Sequence, residues 1–163
     1  MLAKPHKNQS LAVWIILCAL ALVAMFIALG AGNKTIQAEF VPPAFDPSAH
    51  AGTPEVSDEL GWNELDAQVF KVSVCGVIIP TDTSADVWLT NPTSNEVWLK
   101  LRILDMDGSI LGETGLIKPG EYLQSVSLNN VPPKGANIVL KIMAYEPDTY
   151  YSAGAISVNT VVY

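Results

Sequence analysis

The chain has 163 residues, 50% of them hydrophobic and only 15% charged, where ordinary soluble domains carry about 25% charge. Its net charge is −7, and the part after the first 30 residues holds all 16 acidic residues against seven basic ones, about −9. That excess excludes nucleic acid, whose phosphates such a surface repels, and equally an anionic membrane surface; the acidity serves solubility.

The apolar excess is local. Leu11 to Leu29, LAVWIILCALALVAMFIAL, carries no charge. As a helix it spans ~28 Å, close to the ~30 Å hydrocarbon core of a bilayer. Two readings compete for it. A cleavable signal peptide has an apolar region of about 7–15 residues; an uncleaved signal anchor is longer. The length favours the anchor, while the small residues Gly30, Ala31 and Gly32 leave cleavage after Gly30 or Gly32 open. Cys18 lies mid-segment behind Ile15, Ile16 and Leu17, so it does not match a lipoprotein acceptor. Lys4 and Lys7 precede the segment and only Lys34 follows closely. Positive flanks stay inside, so residues 1–10 are expected to be a cytoplasmic tail. Residues 11–29 are then a single-pass anchor in the cell membrane, with the C-terminal part extracellular.

Residues 30–56 read as a proline-rich linker, with Pro42, Pro43, Pro47 and Pro54. Proline blocks helix and sheet interiors. Such a segment spans ~25–30 Å as a flexible coil and up to ~80 Å as polyproline II. Residues 57–163 are the expected ectodomain. Its first part, 57–67, reads as irregular, with Trp62 and Leu65 plugging one edge.

From residue 68 the pattern is β throughout. Val69–Ile79 is rich in β-branched residues, and Ala85–Thr90 follows the turn at Pro80–Ser84. Glu96–Leu104 alternates, with Val97, Leu99, Leu101 and Ile103 on one face and Trp98, Lys100 and Arg102 on the other. Period-2 alternation marks a half-buried antiparallel strand. Ser109–Glu113, Tyr122–Leu128, Asn137–Tyr145 and Ala155–Tyr163 complete seven strands, separated by turns such as Asp105–Gly108 and Lys118–Glu121. Seven short strands with turns every ~8–12 residues predict an all-β, seven-stranded antiparallel sandwich, immunoglobulin-like or fibronectin-type. The Cys…Trp…Cys pattern of antibody domains is absent, and another Greek-key sandwich or a jelly roll stays open.

Catalytic chemistry lacks its usual parts. The two histidines are His6, before the apolar segment, and His50, in the linker. A Ser or Cys nucleophile in the domain would therefore have no imidazole base, and no enzyme activity is expected. Asp105-Met106-Asp107-Gly108 opens like a calcium loop, but Gly stands fourth rather than sixth; a hairpin turn accounts for it. No His or Cys pair suits zinc, and no glycine-rich phosphate loop is present. No metal and no cofactor are expected. Cys75 is the lone cysteine of the ectodomain and reads as a buried thiol, an intermolecular disulfide being the alternative.

Two features point to binding. If Asn91–Asn95 closes a hairpin, Trp88 pairs with Trp98 and the two rings form an exposed platform continued by Lys100 and Arg102. Such platforms stack on sugar rings or act as protein hot spots; a merely stabilising cross-strand pair is the alternative, and the pairing fails if the two strands lie in opposite sheets. The second feature is the loop 146–154 with its flanking Tyr145 and with Tyr150 and Tyr151, since Tyr gives contact area at low entropy cost. The same rings could instead cover the end of the sandwich.

ELGWNEL (59–65), TNPTSNEVWLKLRI (90–103), LDMDGSILGETGLIKPGEYL (104–123) and YEPDTYYSAGA (145–155) carry a resemblance. Over most of the domain the chain resembles a group of small, uncharacterised, signal-anchored surface proteins of Gram-positive (Firmicutes) bacteria with a single Ig-like sandwich. The resemblance implies location and fold class and no mechanism. The expectation from the sequence is a membrane-tethered binding or assembly module. Its partner would be an envelope or surface protein, a cell-wall glycan, or another copy joined at the apolar strand Ala155–Tyr163.

Overall fold

The computed structural model of the chain describes residues 13–21, 25 and 40–163, and the folded domain occupies Pro42–Tyr163. Residues 13–21 and 25 are helical. The apolar segment Leu11–Leu29 lies partly outside the described residues. Among those described, no helix is long and apolar enough to cross a membrane.

Nine strands, not seven, build the domain: β1 (His50–Ala51), β2 (Trp62–Asp66), β3 (Lys71–Cys75), β4 (Ser84–Asn91), β5 (Trp98–Asp105), β6 (Ile110–Glu113), β7 (Glu121–Ser127), β8 (Asn137–Tyr145) and β9 (Ser152–Val161). One sheet has the order β1-β7-β4-β3-β2 and the other β6-β5-β8-β9, all paired antiparallel. The strands expected from alternation are β3 to β9. β1 and β2 escape that reading because neither alternates apolar with polar residues: β1 has two residues and β2 reads WNELD. Backbone pairing builds β2, through Asp66 to Trp62 against Lys71 to Cys75. A single turn of 3-10 helix, Asp58–Leu60, precedes it and ends on Gly61 at φ +59.

The alternating residues supply the core. Leu99, Leu101 and Ile103 of β5 meet Leu140, Ile142 and Ala144 of β8 on the inner side of one sheet. Val72, Val74, Val87, Leu89, Leu123 and Val126 face them from the other. Each fully buried aliphatic side chain contributes roughly 1.5–3 kcal/mol of transfer free energy.

The stretch 42–56, read from its prolines as part of a spacer, lies along the domain. Asp46 N donates to Leu116 O (2.8 Å), Leu116 N donates to Ala44 O (2.9 Å), and the Asp46 carboxylate accepts from Gly115 N (2.8 Å). His50 and Ala51 then pair with Tyr122 and Glu121 of β7. Prolines at Pro47 and Pro54 are compatible with this because an edge segment need not donate at every residue. His50 is therefore inside the folded domain, contrary to the expectation that both histidines lie outside it.

Trp88 and Trp98 do not pair. β4 bonds to β3 and β7, and β5 bonds to β6 and β8. Residues between them cross from one sheet to the other instead of closing a hairpin. Two asparagines hold the crossing. Asn91 Nδ2 donates to the carbonyls of Val97 (2.9 Å) and Ile117 (3.1 Å). Asn95 Nδ2 donates to Lys71 O (2.6 Å) and to Asn91 Oδ1 (2.7 Å), and Asn95 Oδ1 accepts from Lys71 N (2.9 Å).

Candidate functional site

The outer face of the four-stranded sheet brings most of the expected binding residues together. Trp98, Lys100 and Arg102 project from β5, opposite Tyr145, Met143 and Lys141 of β8. Glu113 of β6 stands on the other side of Arg102. Its carboxylate meets Arg102 Nε at 2.8 Å and Lys100 Nζ at 3.1 Å. Partial burial pushes the Glu113 carboxyl up, but the hydrogen bonds and charges of Arg102 and Lys100 outweigh that and hold it below the usual carboxylate range.

One anion thus stands among three cations. Arg102 lies directly across from Lys141, a like-charge pair that costs some stability. Among the described residues Lys141 has no ion-pair partner. The concentration is unusual for this chain. All but Glu39 of the 16 acidic residues fall in residues 40–163, against six basic ones: Lys71, Lys100, Arg102, Lys118, Lys134 and Lys141.

Aromatic rings continue the face at the Trp98 end. Trp98 packs edge-on against Phe45 (centroids 4.8 Å, interplanar 78°) and lies tilted against Tyr150 (5.1 Å, 60°). Lys118 Nζ lies 4.7 Å from the Phe45 centroid, within cation–π range. Tyr150 is presented by a folded loop: Glu146 N donates to Tyr151 O (2.8 Å), and Tyr150 N to Glu146 O (3.0 Å). Asp148 and Tyr150 hold left-handed φ values of +64° and +58° there, uncommon for residues other than glycine. Tyr145 Oη donates weakly to Met143 Sδ (3.8 Å). Tyr151, next to Tyr150 in the loop, is exposed.

The Trp face and the Tyr loop, separate in the sequence, therefore meet at Trp98 and Tyr150. Sequence reasoning missed Phe45, Lys118, Glu113 and Lys141. Lys141 was legible from parity, since it alternates with the buried Leu140 and Ile142; Phe45 carried no signal because its segment reads as spacer.

Trp88 belongs to the opposite side of the molecule. It stacks on Tyr122 of β7 (6.2 Å, 21°), which in turn lies 5.7 Å from His50. The register slips between Asp86 and Leu89, and Trp88 occupies this bulge at φ +47, a genuine outlier for a bulky residue. Trp62 Nε1 donates to Trp88 O (2.9 Å), while the Trp88 Nε1 is buried without a hydrogen-bond partner among the described residues. Nearby, a shallow cavity of about 180 Å³ is lined by Trp62, Glu64, Ser73, Thr90 and Thr93 among others. Burial first, and the Asp86 carboxylate second, push the Cys75 thiol up to about 11, so it is a poor nucleophile.

Among the described residues no three His, Cys, Asp or Glu side chains cluster as metal ligands would. No family model matches the chain, and no curated protein matches it.

Proposed function

We propose that the protein is a non-enzymatic, membrane-tethered module that binds an envelope or surface protein through the outer face of its four-stranded sheet. The observation that carries this reading is the local reversal of charge. Arg102 and Lys141 stand on one face of a strongly acidic domain, with the buried Lys100 beside them and Glu113 shared between Lys100 and Arg102, and half-buried aromatic rings adjoin them. A partner segment with two or more carboxylates and one apolar anchor fits that combination. Its charges would be steered to the cations, and its anchor would pack at Trp98 and Tyr150 as a hot spot does.

The remaining parts of the reading support presentation of this face. Leu11–Leu29 acts as a signal anchor, leaving the N-terminus cytoplasmic and the domain extracellular. The strand orders suit an immunoglobulin-like or fibronectin-type sandwich, with β3, β4 and β7 as strands A, B and E and β5, β8 and β9 as C, F and G. β6 then takes the place of the strand added beside C. The resemblance to anchored surface proteins of Gram-positive bacteria accords with both.

Mild crosslinking on intact cells, with mass spectrometry of what co-purifies with the full chain, tests the reading. A stoichiometric envelope protein is expected, lost in Arg102→Glu/Lys141→Glu and retained in Trp88→Ala. Recovery of the same protein from the charge-reversed variant would refute this face as the binding surface.

A cell-wall glycan is the second reading. The cavity beside Trp62, with the Ser73 and Thr90 hydroxyls and the Glu64 carboxylate, favours it. Soluble wall glycan should then shift tryptophan fluorescence in the wild type and not in Trp62→Ala; an unchanged spectrum with wild type removes it.

A further inference from the structure

The sheets end in four edge strands, and three of them are protected against pairing. β1 has two residues. β2 carries Glu64 and Asp66. β6 has four residues, and its edge is stitched to the other sheet by a bridge from Gly112 to Leu128 and by Asn129 N donating to Leu111 O (2.7 Å). Charge, shortness and cover are the devices that keep sheet edges from adding strands.

β9 has none of them over most of its length. It runs ten residues, SAGAISVNTV, without a charge or a proline. β8 pairs with one side of it throughout. On the other side only the C-terminal end is occupied: Ile78 bridges Val162, Tyr163 N donates to Ile78 O (3.0 Å), and Thr160 Oγ1 donates to Gly76 O. Among the described residues no strand pairs with the remaining side of Ser152–Asn159.

What flanks this open edge says what fits it. At its start stands the exposed ring of Tyr151, and at its end stand exposed Ile79, Val161 and Tyr163. The edge is therefore free of charge and apolar at both ends. An antiparallel copy of the same edge matches it, because Tyr151 of each copy comes alongside the apolar end of the other.

We propose that two copies of the chain associate by antiparallel addition of β9 to β9, centred near Ile156, making one continuous eight-stranded sheet. The symmetry is isologous, so the same contacts occur twice. The main electrostatic objection is weak. The two Lys141 side chains stand three strand spacings apart, about 14 Å, beyond the ~8 Å screening length at physiological salt. The pairing also places the two cation-bearing faces side by side on one surface, so a bivalent partner would meet both.

Sedimentation equilibrium of the full-length chain in density-matched neutral detergent micelles tests this. A dimer is expected. Ala155→Lys/Ser157→Lys should weaken association about tenfold or more with unchanged circular dichroism and only a slightly lower melting temperature. Both side chains point outward, level with Met143 and Lys141, so the core is untouched and the monomer bears only the small repulsion of a second cation opposite Lys141, while in the dimer like charges are also set opposite each other across the seam. A wild type that stays monomeric, or a double-lysine variant that dimerises as tightly, overturns the proposal. Should the double variant not fold, Ser157→Cys in a Cys18→Ser background takes its place. A short bismaleimide is expected to give a covalent dimer, and its failure to do so overturns the proposal equally.

Discussion

Asn95 donates its side-chain amide to the Oδ1 of Asn91 at 2.7 Å, in the crossing that carries the chain from one sheet to the other. Asn91 is fully buried and spends its own amide on two carbonyls from the second sheet, those of Val97 and Ile117. Removing that side chain takes the donor from the Val97 carbonyl. It also takes one bond each from the Ile117 carbonyl, which keeps Leu99 N, and from the Asn95 amide, which keeps Lys71 O. A buried group left unmatched costs ~1–3 kcal/mol, so Asn91→Ala should lower unfolding stability by about 2 kcal/mol in urea titration, with Asn95→Ala somewhat milder because Asn95 is nearer the surface. A change under about 1 kcal/mol for Asn91→Ala would mean that the network is incidental.

The stretch 44–48 is held by a close approach that only glycine permits. A Cβ on Gly115 would stand 2.5 Å from Asp46 N and 2.7 Å from its Cα. Gly115→Ala should push this segment off, taking Phe45 from Trp98, at a cost of ~1–3 kcal/mol as other overpacked sites show. Limited proteolysis reads the outcome: new cleavage between residues 42 and 52 is expected. Wild-type protease resistance in the variant would show that the segment is not docked through Gly115.

Trp88 combines a left-handed backbone with a buried, unmatched indole N–H. Trp88→Phe removes the N–H and keeps the stack on Tyr122. The backbone strain is the same in both proteins, so it drops out of the comparison. Stability should be unchanged or rise by about 1 kcal/mol, because an unsatisfied buried donor is lost. A loss above 1 kcal/mol would show that the indole nitrogen has a partner in solution.

Glu113 links stability to pH on the cationic face. Its folded pKa lies below the unfolded value. The ionised form is therefore favoured in the folded state. That contribution is present above the usual carboxylate pKa of about 4.5 and is lost as pH falls through the lower folded value. Asp107, whose carboxylate accepts first from the backbone of Ser109, acts in the same direction. Glu113→Gln should flatten part of the acid decline in urea midpoint below about pH 4.5 while leaving the midpoint's pH dependence between 6 and 8 unchanged. An identical acid profile for the variant would remove Glu113 from the linkage.

Alternation was readable wherever a strand has one dry face. Val97, Leu99, Leu101 and Ile103, and Ile138, Leu140, Ile142 and Ala144, announce β5 and β8 because burial on one side imposes a period of two on residue choice. The same rule places Lys100, Arg102 and Lys141 on the outer side once the core side is known. The turns at Asp105–Gly108 and Lys118–Glu121 were readable for a local reason as well, since Gly108 and Gly120 adopt φ +88 and +80, which glycine supplies without strain.

Sheet membership was decided only by the tertiary structure. The chain between Asn91 and Val97 has the composition of a hairpin turn. Whether it closes a hairpin or crosses depends on whether Asn91 finds the Ile117 carbonyl and Asn95 finds Lys71, 26 and 24 residues away in sequence. That choice separates Trp88 from Trp98 and joins Trp98 to Tyr150 and Phe45. β1, β2 and the docking of His50 likewise come from backbone pairing, which uses groups every residue carries and so leaves little trace in side-chain pattern. Sequence by itself therefore determined the β class, the strands of the core and the apolar N-terminal segment, because each rests on local burial. The assembly of the cationic, aromatic face belonged to long-range hydrogen bonds, which no local pattern encodes.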